Sequence, residues 1–577
     1  MGYAHDYADA ILHRGRIPME PVDFVPDWVD RPRKAKFYPG AETLPLPEPA
    51  VTATGAGAGP AFTLPLLSGM LQDSYGLTGR RLGVQANTDL AALPHYTQAN
   101  WSRGTASGGG LYPVSVYWAA GAGGPLAPGL YHYAPHQHGV RRLLTGDVTG
   151  EVRQALGAEG AEGAAAAAGC TQYLVLGVKY WQNSFKYNSF SFHAVSMDVG
   201  ALLQTWRLWA AARGLRVAPA LWFDEERLAR LLGVAPREEG IFAVVPLEWA
   251  GGAEESARTG RTPGSGRAEG ERRSGPAGRG TVERVPKNGD RNGNGHGHGP
   301  AEPEPGTGTS EGAPGRGPAV LRRDCERSRA VLEFETLERI HEATLGRAAD
   351  RPAPGALDAA AAFPPRGGDP VPLPPPAAAP LGVDGALRAR RSSFGRFDAS
   401  RAVTAEQLAA ALADCAAASV GSEAERPGGP RLTALYAFVN HVEGVVPGTY
   451  AYDPAAHALR LVVPGPPGPF LQRNYFLSNY NLEQAGVVVV PTVRTTAVLD
   501  AVGDRGYRLV NATVGAVAQT FYTTAAAHGL GAGVALGFDN ISYMEELGLT
   551  DTGEAPLLIM LLGHERPGPA DFRHEIA

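Results

Sequence analysis

Residues 173–233 align with residues 488–548 without a gap, 315 positions apart. The match carries Gly200 onto Gly515, Gln204-Thr205 onto Gln519-Thr520, AAARGL from Ala210 onto AAAHGL from Ala525, and Phe223-Asp224 onto Phe538-Asp539. Leu232-Gly233 likewise falls on Leu547-Gly548. Further upstream the offset becomes 319, where GLYHYAPHQHGVRRL from Gly129 meets GTYAYDPAAHALRLV from Gly448. A chain that repeats itself over such a span is an internal duplication, and its two copies are expected to pack as a pseudo-dimer within one molecule.

Each copy reads alike. GGLYPVSVYWAA from Gly109 and PRLTALYAFVNH from Pro430 alternate as strands do, and YLVLGVKY from Tyr173 and VVVVPTVRT from Val487 are short buried strands. From Val195 and from Val510 the apolar spacing is helical for about 18 residues, and IFAVVPL and APLLIMLLG close the halves as strands. The fold class is therefore α+β, two tandem units of roughly 200 residues, each a mixed sheet flanked by helices. The first domain spans 1–250 and the second 383–577. Between them, 251–318 is nearly devoid of apolar residues and reads as a disordered linker, in which His296 and His298 belong to a low-complexity tract and not to a metal site. Residues 319–382 read as a short helical segment followed by a Pro/Ala-rich spacer.

Composition narrows the function classes. A formal charge of -6 leaves no electrostatic footprint for nucleic acid. No run of 18 apolar residues and no secretory N-terminus are found, so no membrane span is expected and the cytoplasm is the expected compartment. The 3 cysteines form no CxxC pair, and no structural metal is expected. Lysine is scarce, at Lys34, Lys36, Lys179, Lys186 and Lys287, in a chain otherwise rich in arginine. Residues 472–481 read as an amphipathic helix, and His132, His136 and His138 as surface or turn residues.

The stretches TASGGGLYPVSVYW, APGLYHYAPHQHGV and QNSFKYNSFSFHAVSMDVGALLQTW resemble the SagB/ThcOx-type dehydrogenases, a branch of the FMN-dependent nitroreductase superfamily. The resemblance covers nearly everything outside the linkers. It implies a dimer-like arrangement with FMN at the interface, oxidation of thiazolines or oxazolines to thiazoles or oxazoles in ribosomally made peptides, and oxygen as the final acceptor. It also implies an azoline-bearing precursor peptide and a YcaO-type cyclodehydratase as partners.

The two halves divide the family's motifs. Only the first has the loop Ser107-Gly108-Gly109-Gly110, whose glycines let backbone approach a flat ring; the second offers Pro427-Gly428-Gly429-Pro430. Only the first has the Lys186-Tyr187 pair, a phenol beside an ammonium that favours its phenolate, suited to removing a ring-carbon proton. Only the second keeps Gly503-Asp504-Arg505-Gly506-Tyr507-Arg508 as the family has it, together with an arginine-rich opening (Arg390, Arg391, Ser392, Arg396) and a closing Arg566 suited to a phosphate. One composite FMN site per chain is expected, with Ser107, Gly108, Gly109, Arg390, Arg391, Ser392, Arg396, Arg505 and Arg566 holding the cofactor and Lys186 with Tyr187 carrying the chemistry. Two other readings stay open: an NAD(P)H-driven nitroreductase or quinone reductase, and a non-catalytic scaffold that docks peptide or partner enzymes.

Overall fold

Strand alternation in each half builds one antiparallel sheet, and the two sheets share a strand order. The computed structural model describes residues 2–48, 61–85, 95–157, 169–250, 317–394, 396–426, 428–567 and 572–575. The first sheet runs Thr43–Pro45, Gly139–Thr145, Gly129–Ala134, Val114–Ala120, Gln172–Lys179, Glu239–Leu247. The second runs Pro370–Pro372, Ala458–Pro464, Gly448–Asp453, Thr433–Val439, Val487–Val493, Ile559–Gly563, and adds Gly531–Ala535 at its edge. Among the described residues, parallel pairing occurs only as single bridges such as Ser392 with Ala532.

The correspondence reaches single hydrogen bonds. A bulge falls between Leu130 and Tyr131 in one hairpin and between Thr449 and Tyr450 in the other. The Tyr131 hydroxyl donates to Ala127 O at 2.6 Å, and Tyr450 to Val446 O at 2.7 Å. Tyr133 meets His138 Nδ1 at 3.0 Å, as Tyr452 meets His457 Nδ1 at 2.9 Å. His138 is thus a bonded hairpin residue. His132 is buried between the rings of Tyr38 and Tyr117, because its strand is covered on both faces; His136 is exposed.

The long helices Ser191–Ala211 and Gly506–Ala527 cross at the centre. A methyl group on Gly200 would lie 1.9 Å from Ala512 O, and one on Gly515 would lie 2.0 Å from Met197 O. Met197 and Ala512 are themselves related by the offset of 315, so one close backbone contact is made twice about a pseudo-twofold axis.

The halves also exchange their ends. The first helix, Tyr3–His13, is tied to the second half through His5 with Asp500, and Arg14 just beyond it donates to Asn540 Oδ1. The strand Phe572–Glu575 pairs in return with Gly79–Gln85, which pairs with His95–Ser102. The helix Glu335–Leu345 buries Leu337, Ile340, His341 and Thr344 against both central helices. These elements belong to one compact unit, Met1–Gly252 with Ala319–Ala577. The linker read over 251–318, with His296 and His298, lies outside the described residues up to 316.

Of residues 472–481, read from the sequence as a helix, only Gln472 and Arg473 are helical, as the end of the helix Gly468–Arg473. The helix Gly468–Arg473 stops because Asn side chains compete for the backbone: Asn474 Nδ2 donates to Phe470 O and Asn481 Oδ1 accepts from Glu483 N. No described helix is long and apolar enough to cross a membrane.

Candidate active site

The glycine loop and the Lys186-Tyr187 pair come together in the first half. Gly109 has φ +62°, and a Cβ built there would lie 2.5 Å from the Tyr187 hydroxyl and 2.8 Å from Lys186 Nζ. Ammonium and phenol therefore converge on one point in space. The Lys186 Nζ stands 4.6 Å from the centre of the Tyr187 ring and 5.9 Å from that of Trp28. Lys36 and Lys179 have carboxylate partners, Glu239 for one and Asp324 with Glu326 for the other, whereas no described carboxylate pairs with Lys186. Both residues end the helix Trp181–Tyr187, which is fixed to the loop by Gln182 Nε2 donating to Tyr112 O at 2.8 Å.

The loop is held from both halves. Ser107 Oγ donates to Asp198 at 2.6 Å, Gly108 N donates to the other Asp198 oxygen at 2.8 Å, and Tyr112 N donates back to Ser107 Oγ at 2.9 Å. Gln519, from the second central helix, accepts from Ala106 N and donates to Gly104 O. The outer side of Gly110, also at positive φ, meets nothing within 4 Å, leaving backbone open to a flat ligand.

A continuous set of contacts leads from this loop into the second half. Arg103 lies with its Cζ 4.2 Å from the centre of the Tyr112 ring, and its carbonyl accepts from Arg390 Nη2 at 2.9 Å. Arg390 in turn lies over Tyr522, whose hydroxyl meets Ser392 Oγ at 2.8 Å. Tyr522 and Arg391 line a pocket of about 270 Å³ with Arg81, Glu565 and the end of the second central helix. Arg391 is ion-paired with Glu565. Guanidinium groups from both halves and a hydroxyl thus face one cavity, a donor set that suits a phosphate. Among the described residues, buried Arg103 Nη1 and Arg390 Nε, lying along the same path, have no hydrogen-bond partner.

The remaining sequence candidates lie elsewhere. Arg396 and Arg566 join backbone to backbone, Arg566 N donating to Arg396 O at 2.6 Å, and neither lines the pocket. Arg505 is committed to a buried cluster: it donates to Glu225 at 2.7 Å, to Leu221 O and to Thr344 O, while Arg508 donates to Glu225 at 2.8 Å. Burial alone would raise the Glu225 carboxyl, but Arg508 and Arg505 hold it down to about 2. Sequence reading missed Asp198, Arg103, Arg81 and Tyr522. Asp198 left a signal, a lone carboxylate inside the apolar run AVSMDVGALL. Among the described residues no group of three His, Cys, Asp or Glu could hold a metal ion.

With this geometry in hand, comparison with known proteins bears on the second half first. Residues 387–564 match the nitroreductase family. A protein of Methanocaldococcus jannaschii and a crystal structure from Anabaena variabilis, both named "putative nitroreductase", are similar to this chain. The first is 33% identical over 141 residues, 23% of this chain; the match spans 64% of that protein's length. The second is 20% identical with a TM-score of 0.66, covering 98% of this chain and all of that one, so the fold is nitroreductase-like through both halves. An E. coli microcin synthetase complex, McbBCD with truncated pro-MccB17 bound, also aligns at 18% identity over 34% of this chain and 78% of that one; its TM-score of 0.26 has no bearing on fold or function.

Proposed function

We propose that the chain is an FMN-dependent dehydrogenase that oxidises thiazoline or oxazoline rings in a ribosomally made peptide to thiazoles or oxazoles. The observation that carries the reading is the convergence of the Tyr187 hydroxyl and Lys186 Nζ on Gly109, at one end of a path whose other end is the Arg391 pocket. Arg391, Arg81, Ser392 and Tyr522 would hold the phosphate, and Ser107 to Gly110 would lie against the flat ring system. FMN bound there would supply a two-electron acceptor, regenerated by oxygen.

The chain's own residues account for the proton. Converting an azoline to an azole removes one ring-carbon proton and one hydride. Tyr187, with Lys186 Nζ 4.6 Å from the centre of its ring, takes the proton at its hydroxyl oxygen. The left-handed backbone at Gly109 leaves room for that hydroxyl, where any side chain would displace it. A cyclodehydratase of the YcaO type would supply the azoline, and the cytoplasm would be the compartment.

The test is the absorption spectrum of the purified protein, with released flavin counted against protein. About one FMN per chain supports the composite site; none after added FMN moves the reading to a docking scaffold. Tyr187→Phe then abolishes azoline oxidation with flavin retained, whereas loss of flavin makes Tyr187 structural. The family match at 387–564 favours one competing reading, an NAD(P)H-driven reductase. Rapid bleaching of the flavin by NAD(P)H would select it, and slow or absent bleaching the dehydrogenase.

A further inference from the structure

Asp198 projects from the first central helix beneath the glycine loop and is nearly fully buried. Both of its oxygens are used, one by Ser107 Oγ and the other by Gly108 N. No described cation pairs with it. The groups around it are the Tyr75 phenol, with Arg103 on that ring's other contacts, the Tyr112 amide through Ser107, and the Lys186-Tyr187 pair across Gly109. At the matching position of the second half the chain has Thr513, and that half also lacks the loop.

A buried carboxylate without a counter-charge costs stability, and one placed where it organises a candidate ligand loop is retained for what it positions. We infer that Asp198 is a positioning residue whose ionised carboxylate shapes the Ser107–Gly110 loop for the flavin, a role that rests on the FMN reading above. Protonation turns one of these oxygens into a donor, so the bond it accepts from Ser107 Oγ or Gly108 N must reverse or break, and the Ser107 bridge to Tyr112 N is disturbed with it. Burial, opposed by the Ser107 and Gly108 hydrogen bonds, pushes this carboxyl up to about 7, so the loop loosens as pH falls through neutrality.

Asp198→Asn keeps the shape and removes the titration. A folded-state pKa raised above the ordinary 3.8 means stability is fully present at low pH and declines as pH rises toward 7. The variant apoprotein is therefore more heat-stable than the native chain at pH 8, gains less at pH 5 and nothing below the ordinary 3.8, yet binds FMN about tenfold more weakly at pH 8. Between pH 8 and pH 6 the native affinity falls by about tenfold relative to the variant, which cancels titration of the FMN phosphate itself. A lower melting temperature at pH 8, or native FMN affinity at both pH values, overturns the role. Hydrogen exchange of the Gly108 amide in the apoprotein separates this from the flavin reading. Protection that weakens below pH 7 in the native chain and stays flat in the variant supports the positioning even if no FMN binds, and identical profiles overturn it.

Discussion

The Tyr187 hydroxyl occupies the space that a side chain on Gly109 would need, 2.5 Å from a Cβ built on that backbone. Gly109 also sits at φ +62°, so alanine there suffers strain and a clash together. Gly109→Ala should displace Tyr187 and Lys186 and lower azoline oxidation by at least a hundredfold. Gly110→Ala, whose Cβ meets nothing within 4 Å, pays only the backbone strain and should lose activity chiefly through weaker flavin binding. Turnover and FMN titration on the two variants check the difference.

The crossing of the central helices is equally intolerant. Gly200→Ala places a methyl 1.9 Å from Ala512 O, and Gly515→Ala places one 2.0 Å from Met197 O, both against backbone that cannot rotate away. Each should cost on the order of 1–3 kcal/mol or more as the helices part. Chemical denaturation should show similar losses from the two, because the methyls disrupt the two symmetry-related copies of one contact about the pseudo-twofold axis.

The repeat made this symmetry legible before any coordinates: Gly200 and Gly515 are matched residues, and so are Met197 and Ala512. The strands read from alternation are present, as are both central helices. Side-chain partners across 300 residues were not legible. Arg505, read from its family motif as a cofactor-binding residue, instead gives its guanidinium to Glu225, whose matched residue is Asn540. Arg81 lines the pocket from the strand Gly79–Gln85, which pairs with Phe572–Glu575, a partnership not legible in the sequence. The helix read over 472–481 failed for a local reason, side-chain amides bonding to nearby backbone.

Arg391 and the two outlying arginines should separate in a binding experiment. Arg391→Ala removes a pocket guanidinium and leaves Glu565 facing the phosphate, so FMN should bind at least tenfold more weakly while riboflavin, which has no phosphate, binds as before. Arg396→Ala and Arg566→Ala, outside the lining, should change FMN affinity by no more than about twofold. Parallel titrations with FMN and riboflavin decide the assignment.

The Glu225 cluster predicts an acid dependence of the opposite sign to that at Asp198. Arg508 and Arg505 depress this carboxyl to about 2 from the ordinary 4.5. A depressed folded-state pKa contributes stability that is fully present above 4.5 and is lost as pH falls toward 2. The native chain should therefore lose about 2 kcal/mol from this group between pH 6 and pH 3, the remainder being lost only as pH falls further toward 2. Glu225→Gln, less stable throughout because two buried guanidinium groups lose their anion, should show a correspondingly shallower acid slope. Arg505→Ala should cost roughly 3–5 kcal/mol at pH 7 through loss of a buried partner, with FMN affinity in the folded fraction unchanged. Guanidinium denaturation at pH 3, 4.5 and 6, with flavin titrated at pH 7, checks each of these. Loss of FMN affinity in Arg505→Ala without loss of stability would return Arg505 to the cofactor site.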